Sequence, residues 1–216
     1  MEHIKTVIIC GLSIMLSSCW FERFYLCKYF FDAYDPIRNT PILRWNADDN
    51  RIRCILHDNI MYSYGSPEYI SIAEELGHTG YEKLGDKTVT GAPERGYYAL
   101  YQTISAIEIT SDIAWDEKHE AGASLADCFD ISYVSFAEYI DSRYDVKKIR
   151  TVDKLITKPL TELSENDLRL IRTYGEQDFA LDVTSLPTSE KLHNLSIIFH
   201  IEDGTTRERT IEVEFP

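Results

Sequence analysis

No stretch of this sequence stays apolar over the ~20 residues that a membrane-crossing helix needs, so a stable helical span is excluded. Positive charge is scarce: 22 Lys and Arg stand against 36 Asp and Glu, a formal net charge of −14 over 216 residues. A phosphate backbone demands a basic surface, so nucleic acid is excluded as a partner. Electrostatic attraction to anionic lipid is excluded on the same ground. The acidity itself reads as solubility. Signatures of metal and catalytic chemistry are missing too. No two cysteines stand at C-x-x-C spacing. His119-Glu120 lacks the second histidine of H-E-x-x-H. There is no repeat of fixed period and no low-complexity segment.

The N-terminus holds the most informative pattern. A short head, Met1-Glu2-His3-Ile4-Lys5, precedes an apolar run over residues 6–16 and then Ser17-Ser18-Cys19. Polar head with a cation, short apolar core and small residues at the end make a secretory signal. Leu16-Ser17-Ser18-Cys19 resembles the lipobox of bacterial lipoproteins. Small side chains at Ser17 and Ser18 admit the backbone to a peptidase cleft, and the Cys19 thiol supplies a nucleophile for a diacylglycerol. By that resemblance, cleavage follows Ser18 and the new amino group of Cys19 is acylated as well. Two or more acyl chains give lasting attachment, where one gives only marginal binding. Cys10 is rejected as the anchor, because bulky Ile9 precedes it and it lies inside the apolar core.

The expected organisation is therefore a signal peptide over residues 1–18 and a single lipid-anchored domain over residues 19–216. That length buries a core without needing disulfides. Besides Cys19 the mature part holds Cys27, Cys54 and Cys128. Export permits disulfides, but three thiols form at most one internal pair. The preferred reading is buried small side chains. No polar tether follows Cys19. Instead Trp20, Phe21, Phe24, Tyr25, Tyr29, Phe30, Phe31 and Tyr34 crowd together. Residues 29–34 read as a strand that enters the core, ended by Asp35-Pro36. For residues 20–25 a membrane-interface belt remains open beside a core role.

Further on, residues 42–45 and 52–57 are β-like, and turn formers at 46–50 make them a hairpin. Ser66-Pro67-Glu68 starts a helix, with Tyr69, Ile72, Ala73 and Leu76 on one face and Gly77 closing it. Residues 77–96 contain five glycines and read as a long loop. Residues 97–115 give one or two central strands. Ser124 caps a helical turn before Phe129, and residues 131–136 resume strand. Residues 157–172 fit a short helix or an extended segment, with Ser164 and Asp167 as a loose capping box.

The C-terminus is sharpest. Leu195, Ile197, Phe199 and Ile201 alternate with partners on the other face, as do Ile211, Val213 and Phe215. A two-residue Asp203-Gly204 turn would pair Phe199 with Glu208. A three-residue loop, Glu202-Asp203-Gly204, pairs Ile201 with Thr205 and Leu195 with Ile211, keeping apolar residues together. It also demands positive φ at Gly204. The fold class expected is mainly β, an antiparallel β-sandwich-like domain with one or two short helices.

Candidate chemistry is thin. Gly122-Ala123-Ser124-Leu125-Ala126 lacks the final glycine of a nucleophile elbow, and Ser124 reads as a turn or cap. Residues 80–87 place Asp86 where a phosphate loop cannot tolerate an anion. Glu117 and Glu120 are ordinary in so acidic a chain. Asp48, Asp49 and Asn50 do not follow EF-hand spacing and read as a solvated turn. Tyr62, Tyr64, Tyr69, Tyr97, Tyr98 and Tyr101 suit a carbohydrate- or peptide-binding face and a β core equally. No catalytic residue, metal ligand or cofactor is nominated.

Several phrases together resemble a family. They are Tyr29-Phe30-Phe31-Asp32 after the lipobox cysteine, Ile107-Glu108-Ile109-Thr110-Ser111-Asp112, Ala121-Gly122-Ala123-Ser124-Leu125-Ala126-Asp127, Leu186-Pro187-Thr188, and the Asp203-Gly204 hairpin. The sequence is similar to the uncharacterised cell-envelope lipoproteins of Bacteroides and its relatives, grouped in domain-of-unknown-function families. The resemblance implies a β domain in the cell envelope and supplies no activity. Surface-exported members carry acidic residues just after the cysteine. Trp20-Phe21-Glu22-Arg23 lacks that cluster, which implies an outer-membrane protein facing the periplasm. The expected function is a non-enzymatic module that binds a glycan, peptide or partner protein. A carboxylate-based hydrolase and a structural or assembly protein are the alternatives.

Overall fold

The computed structural model describes residues 30–79, 81, 96–145, 147–148, 152–173, 175–188 and 190–216. Residues 1–29, with the expected signal peptide, Cys19 and Cys27, and most of the glycine-rich loop lie outside the described residues. Among the described residues, no helix is long and apolar enough to cross a membrane.

Eleven strands are described, in three sheets. The five-stranded sheet has the order β2-β3-β9-β7-β8. Its strands are β2 (Ile37–Asn46), β3 (Arg51–His57), β7 (Phe129–Tyr133), β8 (Ile156–Pro159) and β9 (Phe179–Val183), all paired antiparallel. Opposite it stand β6 (Ile104–Ser111), β10 (Leu192–Ile201) and β11 (Thr206–Glu214), in the order β11-β10-β6 and also antiparallel. Alternation of side chains explains the pairing of the two sheets. Ile52, Cys54 and Leu56 of β3 point inward, as do Phe179 and Leu181 of β9. They meet Ile107 and Ile109 of β6 and Leu195, Ile197 and Phe199 of β10. Phe179 and Phe199 meet across the gap with ring centroids 5.9 Å apart, and Trp45 meets Phe215 at 5.1 Å. The domain is mainly β and sandwich-like, as its alternation predicts.

A second core sits beside the sandwich. The sheet β4-β1-β5 is built from β1 (Phe31–Asp35), β4 (Tyr62–Ser63) and β5 (Tyr97–Leu100). It packs with helices α1 (Pro67–Glu75) and α2 (Ala137–Asp141). Aromatic rings fill this core. Phe30 alone contacts Phe31, Tyr81, Tyr97, Phe136 and Tyr139, with centroids 4.8 to 5.5 Å away. β1 pairs parallel with β5, a long-range contact that strand-by-strand reading does not yield.

Local details follow the chemistry of the sequence. Ser66 caps α1, its hydroxyl accepting from the Tyr69 N–H at 3.1 Å, with Pro67 at the first helical position. The 46–50 turn joins β2 and β3, with Asn50 in the left-handed region at φ 49°. In the C-terminal hairpin Leu195 pairs with Ile211, Ile201 N donates to Thr205 O at 2.9 Å, and Gly204 has φ 82°. The three-residue loop and its parity are therefore observed as expected. Several bounds differ. β2 begins at Ile37 rather than 42, because its amide is held by Gln102 Oε1 at 2.7 Å and a bulge separates it from Ile42. β7 ends at Tyr133, since Val134 and Phe136 turn into the second core and α2 follows. Residues 157–172 are extended in β8 and then pass through a 3-10 turn at Leu160–Glu162. There Asp167 accepts from both the amide and the hydroxyl of Ser164 at 2.7 Å.

Candidate functional site

Three places on the described surface and interior gather polar side chains. The first is an open groove of about 900 Å³ beside the edge strand β8. Tyr133 and Ser135 on or after β7, α2, and the loop before β8 form its walls. Four cations line it, Lys147, Lys148, Lys154 and Arg169, with three carboxylates, Glu138, Asp141 and Asp167. The lining thus carries one more cation than anion, on a chain with net charge −14. Lys148 pairs with Glu138 at 2.7 Å, Arg169 with Asp141 at 3.2 Å, and Lys158 with Asp167 at 2.8 Å. Its bonds to Lys158 and Ser164 hold the Asp167 carboxyl at about 2 against the opposing pull of burial. Lys147 and Lys154 are exposed and make no ion pair among the described residues.

The second place is a depression of about 500 Å³ lined by Asp116, His119, Cys128, Ser185 and Thr188 among others. Asp116 caps its own turn, Oδ1 accepting from Lys118 N at 2.8 Å and His119 N at 2.9 Å. The same oxygen meets His119 Nδ1 at 2.8 Å, and Asp127 Oδ1 meets Nε2 at 3.0 Å. His119 is accordingly held above its ordinary pKa, first by the bond to Asp116. Cys128 is a buried free thiol, and burial pushes it up to about 11. A nucleophilic cysteine needs the opposite shift. The loop is held firmly. Trp115 N donates to His119 O at 2.9 Å, and the fully buried indole donates to Ser185 O at 3.1 Å.

The third place lies between the two cores. Asp178 accepts from Leu56 N at 2.6 Å, His57 N at 2.9 Å and His57 Nδ1 at 2.7 Å. This raises the His57 pKa. Asp35 accepts from the Thr173 hydroxyl, while its Oδ1 is buried with no partner. Burial pushes the Asp35 carboxyl up to about 6. Neither Asp35 nor Asp178 lines the groove. Two enclosed carboxylates bound to backbone amides and a threonine form a joint, not an open acid–base pair.

The residues singled out in the sequence scatter. Cys19 and nearly all of residues 80–87 lie outside the described residues. Ser124 bridges to Thr110, and its hydroxyl accepts from Ala126 N at 3.4 Å, a turn geometry. Asp49 takes a bond from Asn46 Nδ2 at 2.7 Å within the hairpin turn. Of the six tyrosines, Tyr69 is buried, Tyr64 is exposed, and the other four are half-buried. Tyr69 belongs to the second core, Tyr62, Tyr97 and Tyr101 pack against it, and the Tyr64 ring meets Tyr69. Cys128 is buried and free, as its reading as a small core side chain expects; its grouping with Asp116, His119 and Asp127 was not legible, because D-x-x-H followed eight residues later by Asp-Cys is a permissive pattern. No protein-family model matches the chain, and no curated protein or solved structure matches it.

Proposed function

We propose that the chain is a lipid-anchored protein of the bacterial cell envelope whose folded domain binds a ligand rather than transforming it. Location rests on the signal-like residues 1–18 and the lipobox-like box ending at Cys19. The diacylglycerol and the N-acyl chain there hold the domain at a leaflet, an outer membrane seen from the periplasm. Binding rests on one observation: the groove beside β8 concentrates cations on an otherwise strongly acidic chain. Lys147 and Lys154 are exposed there without ion-pair partners among the described residues, so an anionic ligand gains two charge-assisted contacts. The Asn166 amide on its wall suits a hydroxyl- or amide-bearing ligand. An acidic glycan or an acidic segment of a partner protein fits this chemistry. A stacking site for neutral sugar receives less support, because the tyrosines are largely drawn into the core.

The test is binding of the full chain and of Lys147→Glu/Lys154→Glu to matched acidic and neutral glycans and peptides, read by calorimetry. Acidic ligands bind the wild type, and the double charge reversal weakens them at least ~10-fold. Equal affinity in both proteins, or preference for neutral ligands, contradicts the groove as the site.

A further inference from the structure

We propose that Asp116, His119 and Cys128 form a binding site for a thiophilic divalent ion, Zn²⁺ above all. One donor atom from each of the three side chains lies within 4.8 Å of the other two. Around a tetrahedral ion with bonds of ~2.0–2.3 Å, donors stand roughly 3.3–3.7 Å apart. Closing the trio onto an ion therefore asks for movements of about an ångström, within reach of small side-chain rotations.

The choice of ion follows from the donors. Thiolate and imidazole favour zinc and its neighbours, whereas calcium and magnesium call for six or more oxygens or a shell of water. Cys128 loses its proton when sulfur binds the ion, as coordinating thiols do. Asp116 Oδ1 is occupied by its turn, but Oδ2 makes no hydrogen bond among the described residues. Asp127 stands on Nε2 of His119, the carboxylate–histidine arrangement common around metal ligands, and Nδ1 would exchange its bond to Asp116 Oδ1 for the ion.

The scaffold is in place before any ion arrives. Cys128 O accepts from Thr184 N at 2.9 Å, and Trp115 O accepts from Thr188 N at 2.9 Å. These bonds tie both ligand-bearing segments to one wall of the sandwich. Three protein donors leave a fourth tetrahedral position, and it opens on the depression lined by Ser185 and Thr188. The ion would thus carry an exchangeable water or a ligand atom. This site is separate from the cationic groove, so it stands or falls independently of the function proposed there.

The test is titration of the full chain with Zn²⁺ by calorimetry and with Co²⁺ by electronic spectroscopy. We expect one equivalent of zinc and a cobalt complex with a sulfur-to-metal charge-transfer band. Cys128→Ser abolishes that band, whereas Cys54→Ser, a buried thiol elsewhere in the core, preserves it. His119→Gln weakens zinc binding, and Asp127→Asn, at an exposed positioning carboxylate, weakens it roughly 10-fold or more. Should Cys128→Ser fail to fold, these last two variants decide. Absence of saturable zinc binding, a charge-transfer band surviving in a folded Cys128→Ser, or unchanged affinity in His119→Gln and Asp127→Asn overturns the proposal.

Discussion

Asp35 ends β1 with one carboxylate oxygen on the Thr173 hydroxyl and the other buried without a partner. Burial is the main reason its pKa rises; Asp178 adds to the rise, while Thr173 and His57 oppose it. An acid whose folded pKa lies above its unfolded value destabilises the fold once it must ionise. Well below pH 3.8 the group is protonated in both states and costs nothing. As pH climbs from there through about 6, the cost appears, and above 6 it is complete. A carboxyl moved from 3.8 to about 6 corresponds to an upper limit of about 3 kcal/mol. Asp35→Asn keeps the shape and an acceptor for Thr173 but never ionises. Urea unfolding should give nearly equal stabilities near pH 3, with the variant ~1–3 kcal/mol more stable near pH 7.5. His57, raised chiefly by its bond to Asp178, also contributes stability at low pH that fades as pH rises through its elevated pKa. The difference between the two proteins is therefore the quantity to read. A variant less stable than wild type at the higher pH, or a gap that does not change with pH, refutes the reasoning.

Asp178→Ala strips partners from two backbone amides and the His57 ring. It should cost ~3–5 kcal/mol by urea unfolding, and a loss below ~1 kcal/mol contradicts the role of joint. Gly96→Ala places a Cβ 2.6 Å from the Asp32 amide nitrogen and 2.9 Å from the Phe31 carbonyl carbon. Backbone cannot yield cheaply, so thermal unfolding should show a loss of ~1–3 kcal/mol; an unchanged midpoint means that β1 and the start of β5 are not so close.

How far the chain can be read depends on the range of each interaction. The C-terminal hairpin was legible because one parity argument over residues 195–213 fixes loop length, register and the φ of Gly204 together. The α1 start was legible because Ser66 and Pro67 act within one turn. The parallel pairing of β1 with β5 was not, since it joins residues more than sixty apart and leaves no local period. The second core was hidden for another reason: its tyrosines satisfy a binding face and an interior equally until Phe30, Phe136 and Tyr139 are seen in contact. Asp116, His119 and Cys128 carry no motif, because their meeting depends on a turn capped by Asp116 folding back against the 3-10 turn at Ala126–Cys128. The groove cations are spread over residues 147–169 and come together only around α2.

Intact-mass and peptide mass spectrometry of the protein from native membranes tests the proposed envelope anchor directly. The predicted result is a chain that starts at Cys19, its sulfur bearing diacylglycerol and its amino group an acyl chain. A free Cys19 thiol, or a chain that retains residues 1–18, contradicts the account.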